Sequence, residues 1–481
     1  MNWHLRSPLR VFDGPFLARY TGLWWLYHAC NGESHLVEKE LHKKYGPYVL
    51  IAPNTIITDD IDLIKPMFKR GGGFQKSNFY RASYNTVYDE ESKGWRKKLN
   101  LFSEIDAAKH QEIRRPISNL YSEGFIKTLE PQMDTVVELS VEKMRERSGS
   151  GKETGRSFDL GKHIKLFFWD TLGYITFSEL PGYVKKGCDF DGSISLAERT
   201  MDDFVMRAVM PCLDPILNNR LFRLGPPGFD TMGKKAAQHV EKRSISNETI
   251  DDFLGKLIET GEDTTEIVSW MMINMIAGAD TTSSIVISLF YFGLKNPSIW
   301  KRMTEEIRGA DLLSGASCSY DKAKKLTYLE AVFREVLRHQ PAVSMGLPRV
   351  VPPEGLIHKG YFFPGGIELS MNPFTTGRNR SVYGDDAEIF NPERWLRRDE
   401  EGIGQFKERR KRMDDADISF GSGRRKCIGE VMAHFLTLKI VVTLISCFDF
   451  NLANSSETLK VKNSFFIRQE GLVVNFCQRC E

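Results

Sequence analysis

The stretch Phe420-Gly421-Ser422-Gly423-Arg424-Arg425-Lys426-Cys427-Ile428-Gly429 runs straight into an apolar segment, 430–442, whose composition suits a buried helix. Glycines at 421, 423 and 429 disfavour continuing a helix or strand, so the chain has to turn here and deliver Cys427 to the start of the next helix. Two influences at that position favour a thiolate over a thiol: backbone amides that glycine allows close to the sulfur, and the positive N-terminal end of the helix. Such a thiolate is a metal ligand or a nucleophile. Tetrahedral zinc would need Cys or His partners at short spacing, and the nearest, His434 and Cys447, lie seven and twenty residues on. A single thiolate points instead to haem, where the porphyrin supplies the four equatorial bonds and the axial sulfur pushes electron density toward bound oxygen. Phe420 and the cations Arg424, Arg425 and Lys426 suit a porphyrin edge and its propionates. The competing reading is a buried structural cysteine after a turn, because free cysteine often serves as a small apolar residue.

No long Pro-, Gly- or Ser-rich linker divides the 481 residues, so one large domain over 1–481 is expected although the length exceeds that of a usual domain. Apolar residues at 41% and charged residues at 27% are enough for a sizeable core. A net charge of +3 lacks the basic excess of a nucleic-acid binder. Eight scattered cysteines read as reduced intracellular thiols, and Cys477 with Cys480 as a lone CxxC without a second pair. No run approaches about 18 consecutive apolar residues, and Met1 to Arg10 has no apolar signal-peptide core. The chain as given is expected neither to span a membrane nor to enter a secretory route.

Turn signals and periodicity predict a mainly α protein with small β-sheets: a short helix over 35–45, a hairpin of strands 49–52 and 55–58 around Pro53-Asn54, and helices through most of 120–300. Turns fall at Pro181-Gly182 and Gly225-Pro226-Pro227-Gly228, and 190–240 is the least patterned region. Gly71-Gly72-Gly73 lacks a dinucleotide spacing, and Ser148 to Lys152 fails as a phosphate loop because Glu146 and Glu153 stand where Gly and Ser/Thr belong. Inside the long apolar segment 266–294 stands Ala277-Gly278-Ala279-Asp280-Thr281-Thr282. Gly278 weakens a helix interior by about 1 kcal/mol relative to Ala, which predicts close approach by a neighbour or local opening of the helix. An acid beside two hydroxyls can donate and relay protons; alternatively, Asp280 or Thr281 caps a new helix.

Phe-x-x-Gly-x-Arg-x-Cys-x-Gly, read at Phe420, Gly423, Arg425, Cys427 and Gly429, resembles the cysteine loop of the cytochrome P-450 haem-thiolate monooxygenases. The resemblance is strongest over 251–451, and Gly14-Pro15-Phe16, Tyr45-Gly46-Pro47 and Ala52-Pro53-Asn54 resemble the opening segment of fungal members, closest to the pisatin-demethylase-like group of secondary metabolism. Asp13 stands where that family usually has proline, and the usual membrane anchor just upstream is expected to be truncated or absent. The family fold implies haem b held between a long central helix and the cysteine loop, with Cys427 on the iron. The segment 277–282 resembles the small-Gly-x-acid-Thr crossing of the distal haem face, which implies that Thr281 holds oxygen and its water network and that Asp280 couples that network to solvent. Glu335, Arg338 and Arg394 resemble the structural Glu-Arg-Arg triad. Arg425, Arg349, His110 and Arg114 match propionate-binding positions; many relatives have tryptophan where His110 stands. Trp95-Arg96 competes for that place, but Leu99, four residues after the tryptophan, cannot ion-pair.

No flavin or nicotinamide fingerprint occurs, so electrons are expected from an NADPH-dependent flavoprotein reductase docking on Lys407, Arg409 to Arg412 and Arg424 to Lys426. The pocket is expected to draw on the central helix near Met275 and Ala279, residues 342–346 and the 190–240 region, and to admit a lipophilic small molecule and O2. A monomer on the cytosolic face of the endoplasmic reticulum is what family membership implies. Oxygen insertion is the leading reading; rearrangement or oxidative coupling without insertion, and a haem sensor, are the alternatives.

Overall fold

The computed structural model describes residues 8–69, 72–89, 94–148, 157–217, 230–246, 252–310, 312–314 and 317–479. The turn predicted at 225–228, residues 149–152, Gly71 and Cys480 lie outside them. Helices dominate and the sheets are small, as the sequence pattern predicts.

The spine is a single helix, Thr264–Lys295, about 48 Å long at 1.5 Å per residue. The Asp263 carboxylate caps its start by accepting from the Glu266 amide at 3.0 Å, and Pro297 opens the next helix just past its end. Buried residues lie all round it, the mark of a helix enclosed by others. Leu160–Phe177 packs along it, and Glu430–Cys447 lies against another of its faces. The helix runs unbroken through 277–282, so neither Asp280 nor Thr281 caps a new one. Close approach explains the glycine: a Cβ at Gly278 would come within 3.0 Å of Leu172 Cδ1, on the neighbouring helix.

The predicted hairpin forms as Tyr48–Ala52 and Thr55–Thr58, beginning a five-stranded sheet completed by Glu368–Met371, Arg349–Val350 and Gln75–Lys76. Its antiparallel edge puts Lys76 directly opposite Arg349, so two cations from distant parts of the chain share one place.

Glu335, Arg338 and Arg394 come together in a buried network. Arg338 grips the Glu335 carboxylate with bonds of 2.8 and 2.6 Å, Arg394 adds one of 3.2 Å, and the Trp395 indole donates at 2.9 Å. The remaining guanidinium protons go to the carbonyls of Gly377, Ala387, Ile389 and Tyr383, so the network clamps the irregular segment that leads into the cysteine loop. Two helices, Thr264–Lys295 and Glu430–Cys447, are apolar and long enough to cross a membrane by length and composition, but most of each is buried inside the fold.

Candidate active site

The loop before Glu430–Cys447 closes when the Cys427 amide donates to the Phe420 carbonyl at 2.8 Å. Its glycines act differently from one another. Gly421 and Gly423 take the left-handed φ values of 70° and 65°, and a Cβ at Gly423 would sit 1.8 Å from the Phe68 carbonyl oxygen. They shape the loop and seat it on its neighbour; the amide that bonds the sulfur is that of Gly429. Cys427 keeps accessible surface, yet the surrounding protein desolvates it enough to push its thiol above the ordinary cysteine value. Both hold because the surface opens into an internal cavity. The Gly429 amide, Arg114 and Lys426 favour the thiolate, but burial outweighs them. The expectation that the loop by itself favours a thiolate is therefore corrected: a cation at the sulfur has to complete the task.

That cavity offers about 180 Å³ to the centres of water-sized molecules and brings Cys427 and Phe420 together with Ala277, Gly278, Thr281 and Thr282 of the central helix. Thr281 donates to the Ala277 carbonyl at 2.6 Å, the i−4 acceptor that a helical threonine can reach. Asp280 does not line the cavity. It is buried on an adjoining face, where the Trp169 indole donates to it at 3.0 Å. Desolvation raises its carboxyl to about 6, opposed by Lys165 and the Trp169 hydrogen bond.

A rim of cations closes one end. Arg425 donates to the carbonyls of Glu104 and Ile105 at 2.7 and 2.8 Å, and Arg114 to that of Lys426 at 2.8 Å. Both guanidiniums reach the cavity wall. Arg349 is buried and donates to the Tyr80 hydroxyl at 2.7 Å. Lys76, which the sequence reading missed, is buried on the same wall. Burial pushes its ammonium well below the ordinary lysine value, and Arg349 and Arg425 push it further. His110 is buried too, its Nδ1 without a partner, and desolvation with the nearby Arg425 lowers its imidazole to about 3. It is thus a neutral ring in the cofactor-free chain. Mutually repelling cations, an orphaned imidazole nitrogen and one sulfur around a single cavity form a donor set that fits an iron porphyrin with two carboxylates.

Other expectations are met in part. The central helix lines the cavity near Met275 and Ala279 as expected, through Ile273, Asn274, Ala277 and Gly278, while Met275 and Ala279 themselves are buried on other faces. Met345 and Gly346 line a separate small pocket with Ala208 and Val209. His434, set aside as a zinc partner for its spacing, is engaged by Glu330 at 2.8 Å and Tyr320 at 3.2 Å, and among the described residues no group of three or more His, Cys, Asp or Glu could hold a metal ion. In the basic run, Arg409 is turned inward onto Glu401 and the Leu396 carbonyl, and Arg410 onto the Trp395 carbonyl; Lys407, Lys411 and Arg412 remain exposed. Tyr121 and Asn274, hydrogen-bonded to each other at 3.0 Å on the cavity wall, were invisible in the sequence because 153 positions separate them.

The family model described as cytochrome P450 matches residues 14–476. The cytochrome P450 monooxygenase cfoH of Aspergillus candidus is 34% identical over 488 aligned residues, spanning 99% of this chain and 89% of that protein. A cytochrome P450 monooxygenase of Aspergillus flavus is 31% identical, over 96% of this chain and 91% of its own. The cytochrome P450 monooxygenase cicH of Emericella nidulans is 28% identical, over 97% and 93% respectively.

Proposed function

This chain belongs to the cytochrome P450 monooxygenase family, and on that premise we propose that it inserts one oxygen atom from O2 into a lipophilic small molecule of fungal secondary metabolism. NADPH supplies the electrons through a flavoprotein reductase. One observation carries the reading: a single cavity collects the Cys427 sulfur, the Thr281 hydroxyl and the cations Arg114, Arg425 and Lys76. Haem b, when bound, supplies the oxygen activation. Cys427 would hold its iron, Arg114, Arg349, Arg425, Lys76 and His110 would meet its carboxylates, and Phe420 would pack against it.

The protein's own residues then do the positioning. Thr281 trades its Ala277 carbonyl partner for water or substrate oxygen within the cavity. Asp280, with its carboxyl near 6, takes and returns a proton close to neutral pH, with the Lys165–Glu198 pair close enough to act on its charge. Arg338, Arg394 and Glu335 hold the segment behind the loop. The intact acid and hydroxyl pair favours oxygen insertion over rearrangement or coupling, which have less need of proton delivery. The exposed Lys407, Lys411 and Arg412 form the face for an acidic reductase, so turnover falls as salt is added.

The test is the purified chain reduced under carbon monoxide: a strongly red-shifted band of a thiolate-ligated complex is expected, and Cys427→Ser is expected to abolish it. A Cys427→Ser protein with an unchanged band overturns the assignment of the sulfur. Steady NADPH consumption without oxygenated product, over a screen of lipophilic metabolites, would favour chemistry without insertion.

A further inference from the structure

A second cavity lies where the five-stranded sheet meets the helices Leu23–Cys30 and Ser193–Val209. It offers about 50 Å³ to the centres of water-sized molecules and shares no lining residue with the cysteine cavity. Most of its wall is apolar, with Trp25, Ile51, Ile57, Phe79, Val209 and Met345 as the large members. Into that wall the fold sets two carboxyl groups from distant parts of the chain: Glu38 on the helix Ser34–Tyr45 and Glu368 on the strand Glu368–Met371. No lysine or arginine is among the described residues that line it.

Glu38 is the unusual member, only 1% exposed. Its Oε2 accepts from the Asn372 side chain at 2.9 Å, and Asn372 stands outside the cavity. Its Oε1 has no partner and lies 3.9 Å from the place a Cβ on Gly346 would take, on the side of a residue that does line the cavity. A buried carboxyl oxygen without a donor costs stability, and a bound donor removes that cost. Glu368 is held loosely, by the Thr55 hydroxyl at 3.5 Å and by Ser77. Burial raises both carboxyls, and hydrogen bonds rather than cations are what oppose the rise.

We propose that this cavity binds a primary alkylammonium ion, whose charged nitrogen donates to Glu38 and Glu368 and whose short chain lies against Ile57, Val209 and Met345. The composition of the wall chooses among cations. Ca²⁺ and Mg²⁺ take about six oxygens or more, which two carboxyls and the Thr55 and Ser370 hydroxyls do not supply. Trp25 and Phe79 instead suit an organic cation, which aromatic rings attract, and the volume admits a chain of roughly four carbon atoms. A neutral alcohol of that length buries the same carbon but brings no charge to the carboxyl pair. The site stands apart from the Cys427 sulfur and does not depend on the monooxygenase reading.

The probe is n-butylammonium chloride near neutral pH, followed by equilibrium dialysis and by the rise in melting temperature. The full chain is haem-loaded and reduced under carbon monoxide, which keeps the amine off the iron. The wild type is expected to bind n-butylammonium saturably and 1-butanol about tenfold or more weakly. Glu38→Gln, which leaves Asn372 an acceptor and removes the charge, is expected to weaken n-butylammonium about tenfold or more and to leave 1-butanol within about threefold. If Glu38→Gln fails to fold, Glu368→Gln is read in the same way. No saturable binding to the wild type, or an unchanged affinity in the folded variant, overturns the proposal. So does displacement of n-butylammonium by an equal concentration of potassium chloride, which would make this an inorganic cation site. The carbon monoxide band separates the two readings: its presence without saturable binding sinks this proposal alone, and its absence from the wild type sinks the monooxygenase reading while the dialysis still decides this site.

Discussion

Trp169 and Asp280 join the two longest-packed helices of the core, the indole Nε1–H donating to the carboxylate Oδ1 at 3.0 Å where neither side chain meets bulk solvent. Burial raises the carboxyl to about 6, and the indole bond holds it below where burial alone would put it. In Trp169→Phe the carboxylate loses that donor, so the acid becomes still weaker. The expected result is a pH profile of product formed per NADPH consumed that shifts upward by about half a unit to one unit, the worth of one hydrogen bond. An unmoved profile would detach Asp280 from proton delivery. Asp280→Asn, which cannot titrate, is expected to lower product formation roughly 10²-fold or more while NADPH consumption continues.

Lys76 and Arg349 oppose each other across two strands, buried and of one sign. Such a pair costs stability until an anion arrives. Lys76→Met is therefore expected to act in opposite directions on two measurements: the haem-free chain gains about 1 to 3 kcal/mol in urea unfolding, and the haem-loaded chain releases haem faster to an acceptor such as apomyoglobin. A variant weaker in both would show that the ammonium serves the fold rather than the cofactor.

The parts of the site readable in the sequence are those that lie within one short stretch. Phe420 to Gly429 is legible because a turn, a sulfur and a helix start occupy ten consecutive positions, and the roles of its glycines still had to be divided by seeing Phe68 against Gly423. The central helix is legible from its apolar length, but its rotation is not. Hydrophobicity all round does not say which residue faces the cavity, so the sequence locates the wall near Met275 and Ala279 without singling out Asn274. Lys76, Tyr121 and the two carboxyls of the second cavity find their places only through strand register and helix packing over long separations, information that no local pattern contains. The depth at which Glu335 is buried is illegible for the same reason: it comes from the segment 377–395, which the network itself organises.

Removing that carboxylate tests the network. Glu335→Ala leaves Arg338, Arg394 and the Trp395 indole without their shared acceptor, all buried. Stranding buried charges of this kind costs about 3 to 5 kcal/mol. The expected outcome is a lower urea midpoint together with loss of haem loading, because the clamped segment anchors the helix Ile403–Ala416 that immediately precedes the cysteine loop. Full haem loading in a destabilised variant would separate the network from the loop.

Glu38 offers a test of stability against pH. It is buried beneath the sheet, with Oε2 accepting from Asn372 at 2.9 Å and Oε1 without a partner. Desolvation raises its carboxyl to about 8 from an ordinary 4.5. A group whose folded value lies above its unfolded value binds its proton more tightly in the native state. Its contribution is therefore complete below about pH 4.5 and is lost as pH climbs through about 8. Over that window the loss is on the order of 3–5 kcal/mol for a shift of this size. Glu38→Gln keeps the shape and an acceptor for Asn372 but cannot ionise. Wild type and variant are thus expected to unfold in urea at similar midpoints near pH 5, and the variant to be the more stable at pH 8.5. Parallel curves across the whole range would mean that the Glu38 carboxylate is solvated when it ionises.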